Sequence, residues 1–140
     1  MTERRITGKT KHTGFQVGVR RTFPVSLEQA WQFLTSREGI EIWLGDVNDF
    51  HLVKGEAYHA KDGANGEVRV VNRHENIRIT WQPGQWRLPS TIQVRLIPSG
   101  RDKTVVSFHQ EKLPDATARE QMLIHWTSIL DELQKMWSAT

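Results

Sequence analysis

Two hydrophobic rhythms divide the chain. Near its end, Met122, Trp126, Ile129, Leu130, Leu133, Met136 and Trp137 recur at steps of three and four, with Thr127, Asp131, Gln134 and Ser138 between them. That period gathers the apolar residues on one side of an α-helix. The spacing predicts a single helix from about Asp115 to Trp137, roughly 35 Å long at about 1.5 Å per residue. Thr117 with Glu120 makes a candidate capping box, and Asp115 is a second candidate cap. A helix with two tryptophans and two methionines on one face needs a large partner surface.

The other rhythm has a period of two. Phe15, Val17 and Val19 alternate with Gln16, Gly18 and Arg20, which reads as a strand ending at Pro24. Ile77, Ile79 and Trp81 alternate with Arg78, Thr80 and Gln82, and Ile92, Val94 and Leu96 with Thr91, Gln93 and Arg95. Shorter strands are predicted over 55–60, 67–72 and 103–110, with Val106 and Phe108 on the inner face and His109 pointing away. The segment 46–52 reads as a weak strand or loop. Asp62–Gly66, His74–Asn76, Pro83-Gly84 and Pro98–Gly100 carry turn chemistry. Strands this close, joined by short turns, predict an antiparallel meander. Between the first strand and the rest lie two short helical segments. Ser26 and Gln29 form a capping box for Leu27, Ala30, Trp31 and Leu34, with Phe33 at the flank. Thr35 and Glu38 repeat that pattern ahead of Ile40, Ile42, Trp43 and Leu44, and Gly45 ends the segment.

Composition narrows the class. A chain of 140 residues suits one domain. Only 37% of it is apolar, but six Trp and five Phe build a core from few residues. The chain has no cysteine, which excludes disulfides, thiolate metal sites and thiol nucleophiles. No apolar run reaches the roughly 20 residues of a membrane span, and no secretory signal is visible, so a cytoplasmic protein is expected. The net charge of +3 is uneven: residues 1–21 hold six basic groups and one acid, leaving the remainder at −2. Residues 1–14 are read as a flexible basic tail ahead of one domain over 15–140. No aromatic interleaves with the tail's charges before Phe15, so no nucleic-acid partner is expected.

The order of strand, two short helices, run of strands and long final helix resembles the helix-grip fold of the START-like (SRPBCC) superfamily. Ser26, Glu28, Trp31, Leu34, Thr35, Glu38 and Trp43 are similar to the opening motif of the branch named after the activator of heat shock protein 90 ATPase. Gly66-Glu67-Val68, Ile77 to Trp81, Thr104-Val105-Val106 through Leu113, and Trp126, Leu130 and Leu133 are similar to its later motifs. The resemblance covers about residues 15–138. It departs at Glu56, where members often carry a second glycine after the one at Gly55, and at His125, where they often carry glycine before the helix tryptophan. The fold implied is α+β, a curved antiparallel sheet wrapped around the long C-terminal helix. The function implied is a hydrophobic cavity for a lipid, sterol, polyketide or other apolar small molecule.

Phe33, Trp43, Tyr58, Trp81, Phe108, Met122, His125 and Trp126 are the candidate cavity residues. Flat aromatic walls bury apolar ligand area, and indole N–H and phenol O–H groups add a polar handle. No catalytic residues are assigned. An aromatase/cyclase-like alternative would use His125, Tyr58 or Glu67 to move protons. Glu56 and Glu67 are otherwise expected at solvent-facing edges. A third reading is a chaperone-related interaction module using the basic tail and a loop displaying Trp86, which equally suits a homodimer contact. The six histidines show no metal spacing, and Asp46-x-Asn48 fails as a calcium loop because Phe50, His51 and Ala57 replace required ligands and glycine. Neither metal nor cofactor is expected.

Overall fold

The computed structural model describes residues 9–10 and 14–138. Seven strands form one antiparallel sheet: β1 (Lys9–Thr10), β2 (Gly14–Phe23), β3 (Ala57–His59), β4 (Asn65–Asn72), β5 (Asn76–Trp81), β6 (Ser90–Pro98) and β7 (Thr104–Leu113). Their spatial order is β1-β2-β7-β6-β5-β4-β3. The meander runs from β3 to β7, and β2 closes against β7 from Phe15↔Leu113 to Phe23↔Thr104. Helices α1 (Leu27–Thr35) and α2 (Arg37–Trp43) follow β2, and α3 (Ala116–Ser138) lies mainly against β2 and β7. This is the helix-grip architecture. Lys9 and Thr10 pair with Phe15 and Gly14, so part of the segment read as a tail is a strand. The rest of that segment, residues 1–8 and 11–13, lies outside the described residues.

Strict alternation sets the inner face. Ser90, Ile92, Val94 and Leu96 of β6 and Thr104, Val106, Phe108 and Gln110 of β7 are all buried. From α3, Ala118, Met122, Trp126, Ile129, Leu130 and Leu133 are buried against them. Met136 is exposed, and Trp137 is half-buried, edge-on to Phe23 and Phe33 at ring distances of 5.0 and 5.9 Å. Arg21, on the α3 side of β2, reaches across to Asp131 and Gln134 at 2.8 Å each.

Helix ends correct two expectations. Ser26 and Gln29 do form the capping box of α1. The cap of α2 is Ser36, whose hydroxyl accepts from the Gly39 N–H at 3.1 Å. Thr35 is already helical, and its hydroxyl donates back to the Trp31 carbonyl. Asp115 caps α3 by accepting from the Ala118 N–H at 2.8 Å, while Thr117 is already the second residue of the helix. The segment 46–52 is a loop touched by one bridge, Val47↔Ala60.

Candidate ligand cleft

The sequence-predicted cavity residues divide by position. Trp43, Tyr58, Phe108, Met122 and Trp126 are buried in the core. Phe108 and Trp126 stack at 4.7 Å with an interplanar angle of 15°. Beside them runs a polar chain. The Trp126 indole N–H donates to Gln110 Oε1 at 2.9 Å, Gln110 Nε2 donates to Ser90 Oγ at 2.9 Å, and Ser90 Oγ donates to the Trp81 carbonyl at 2.8 Å. Gln110 and Ser90 are fully buried, and each finds its partner within this chain, as buried polar groups must. These side chains fill the middle of the helix–sheet interface by contacting one another. Gln110 is not among the residues that the sequence singles out. The signal for it is nonetheless there, because it continues the inward alternation of Val106 and Phe108.

Tyr58 donates its hydroxyl to the Thr80 carbonyl at 2.6 Å, and Phe50 packs edge-on against its ring. Burial, with the Asp62 carboxylate adding to it, pushes the phenol well above its ordinary range, so it stays protonated. Glu67 is half-buried and lies 3.5 Å from Arg69. Glu56 is also half-buried, 3.9 Å from His51. His109 is half-buried on the outer face and shares a hydrogen bond with Gln16 at 3.1 Å. The groups named for proton transfer thus sit on separate elements, each with a partner of its own.

His125 presents much of its surface to solvent, but its ring lies edge-on to Trp126 at 4.8 Å. Burial of that inner part lowers its pKa, partly offset by a hydrogen bond to the Trp43 backbone. A folded-state pKa below the unfolded value of about 6.5 means that the unfolded chain binds the proton more readily. His125 therefore costs no stability above about pH 7, and stability is lost as pH falls through 6.5 towards the folded pKa. Comparing urea midpoints at pH 8 and pH 5, His125→Gln should show a smaller drop than the parent chain. An equal drop in both would remove the effect.

A cleft lies at the N-terminal end of α3, outside the packed centre. It has a volume of about 910 Å³. The β5–β6 loop supplies Gln85, Trp86, Arg87, Leu88 and Pro89; the end of β7 and its exit supply Lys112, Leu113, Pro114 and Asp115; α3 supplies Thr117, Ala118 and Gln121; and Gly14 closes one side. Leu113 and Ala118 are buried at 2% and 4% exposure, whereas Leu88 is 74% exposed, so the cleft has an apolar floor and an apolar lip. Trp86 is half-buried and held three ways: edge-on to Trp81 at 5.3 Å, through its own N–H, which donates to the Pro83 carbonyl at 3.0 Å, and through Gln82 Nε2, which donates to its carbonyl at 2.8 Å. Lys112 takes a left-handed backbone at φ 64°, which turns the chain at the end of β7 towards Pro114 and the helix. Of the eight predicted residues, none lines this cleft directly, but Trp81 backs Trp86, and Met122 lies one helical turn beyond Ala118. Phe33 lines a separate shallow hollow beside Gln29 and Ser36.

Known proteins share this architecture. The family model described as "Activator of Hsp90 ATPase homolog 1-like protein" matches residues 24–138. The chain belongs to this family. Members of this START-like branch share the helix-grip architecture found here. CalU16 from Micromonospora echinospora superposes with a TM-score of 0.76 at 18% identity, over 89% of this chain and 76% of that one. PFC0360w, an HSP90 activator from Plasmodium falciparum, gives 0.74 at 17%, over 86% and 94%. The Aha1 dimer from Colwellia psychrerythraea gives 0.72 at 17%, over 89% and 96%. Likenesses at these identities speak to fold. Among curated proteins, none matches the chain. No helix among the described residues is long and apolar enough to cross a membrane.

Proposed function

We propose that this family member binds a small apolar molecule in the cleft at the N-terminal end of α3. One observation carries the reading. Trp86, Leu88, Pro89, Leu113, Pro114 and Ala118 converge there on a space of about 910 Å³, within the range of small-molecule sites. Six polar side chains, Gln85, Arg87, Lys112, Asp115, Thr117 and Gln121, stand among them and can orient a bound molecule. The ligand expected from the sequence to lie deep between the helix and the sheet moves outward in this reading, because Trp126 and Phe108 occupy that space. Trp81 and Met122 serve as the second layer of the wall.

Burying about 200 Å² of an alkyl chain gives about 5 kcal/mol at about 25 cal/mol per Å², before the costs of association. Affinity for a plain alcohol should therefore be weak, near the millimolar range. Titrating the full chain with decanol should move the indole N–H NMR signals of Trp86 and Trp81. The Trp43 indole, which donates to the Leu34 carbonyl at 2.9 Å, should stay in place. Trp86→Ala should weaken decanol binding about tenfold. A titration that moves neither the Trp86 nor the Trp81 signal would overturn the proposal.

A further inference from the structure

We infer that the ligand of this cleft is an amphipathic anion: an apolar body lying against Trp86, Leu113 and Ala118, with a single negatively charged head held at the rim by Arg87 and Lys112. The inference rests on the proposed site and names the chemistry of what enters it. Both cations line the cleft and both belong to exposed residues, whereas the apolar floor is buried. That arrangement orients an amphiphile with its tail inward and its head towards water. Among the described residues, neither Arg87 nor Lys112 has an ion-pair partner, so neither charge is already neutralised.

The lining contains one carboxylate, Asp115, and it is engaged. Its Oδ1 accepts the Ala118 N–H at 2.8 Å, where the helix end also favours negative charge. Two other hollows differ in their charge. The hollow of about 540 Å³ beside α2 carries Glu41, Asp46 and Asp49 against Arg37, which disfavours an anion. In the hollow of about 560 Å³ near the β4–β5 turn, Arg73 and His74 already face Glu28, and Arg95 shares the lining with the Glu75 carboxylate. Guanidinium is suited to a carboxylate head because its N–H groups match the two oxygens.

The test uses three probes with one tail and different heads: decanoate, decanol and decyltrimethylammonium, with decanol kept below its solubility limit and the two ionic probes below their micelle-forming concentrations. Each is titrated into the full chain while the Trp86 indole signal is followed. Decanoate should bind about tenfold more tightly than decanol, and the cation more weakly than either. In Arg87→Gln/Lys112→Gln, the ratio of decanoate to decanol affinity should fall to about one. Equal affinities for all three heads, or a preference that survives the double variant, would overturn the anionic head while leaving the site intact. If no decyl compound moves the signal, the site itself fails and this inference with it.

Discussion

Trp126→Ala should destabilise the fold by about 3–5 kcal/mol, the cost of deleting a fully buried aromatic. That is a large share of the roughly 5–15 kcal/mol available to a domain of this size. Part of the loss is packing against Phe108 and part is the hydrogen bond to Gln110. The two separate in a double-mutant cycle. Trp126→Phe keeps most of the ring but leaves Gln110 Oε1 without its donor, and Gln110→Leu leaves the indole N–H without its acceptor. Each strands a buried polar group, which costs about 1–3 kcal/mol beyond the volume change. Combined, the substitutions remove both groups at once, so the double variant should lose at least about 1 kcal/mol less than the sum of the singles. Urea denaturation of the four proteins measures this directly. Additive losses would mean that the indole and the amide do not depend on each other.

Gly66→Ala should cost about 3 kcal/mol or more, despite adding a single methyl group. A Cβ at Gly66 would stand 1.9 Å from the Thr80 carbonyl oxygen and 2.6 Å from the Tyr58 hydroxyl. Those two atoms are themselves hydrogen-bonded, so the methyl group would enter the contact that ties β3 to β5. The backbone of β5 cannot retreat alone, because Ile79 and Thr80 are paired with Ile92 and Thr91 on the next strand. The Gly66-Glu67-Val68 motif therefore has a steric reason. A shift in thermal or urea midpoint against the parent chain is the readout, and an unchanged midpoint would show that the strand adjusts freely.

Periodicity makes the architecture legible because it reports which face is buried. The steps of three and four from Met122 to Leu133 place α3, and alternation along β5 and β6 places the inner face of the sheet. Strand β1 escapes this kind of reading because Lys9-Thr10 is too short to show a period. Caps are harder. Thr35 and Ser36 are both good caps, and only the path of the backbone decides between them. The site is less legible than the fold. Aromatic residues mark where bulk is needed, but the same bulk can line a hollow or fill it. Trp126 and Phe108 stack on one another, a relation between two distant elements that composition does not carry. The cleft depends on Trp86, Leu113 and Ala118 meeting across a loop, a strand end and a helix start, and only Trp86 stands out along the chain.

The Trp126–Gln110 hydrogen bond also clocks the helix. Turning α3 by one residue, about 100°, would swing the indole away from its acceptor and leave two polar groups stranded in hydrocarbon. The helix thus has one rotational setting, and sliding it outward to admit a guest would break the same bond. In the binding reading proposed above, room for a larger guest must come from the β5–β6 segment instead, where Pro83-Gly84 breaks the strand and a ring-edge contact, a backbone bond to the Pro83 carbonyl and one side-chain amide hold Trp86 in place. Under the proposed function, selectivity for guest size then resides in a short stretch of backbone rather than in the element that dominates the fold.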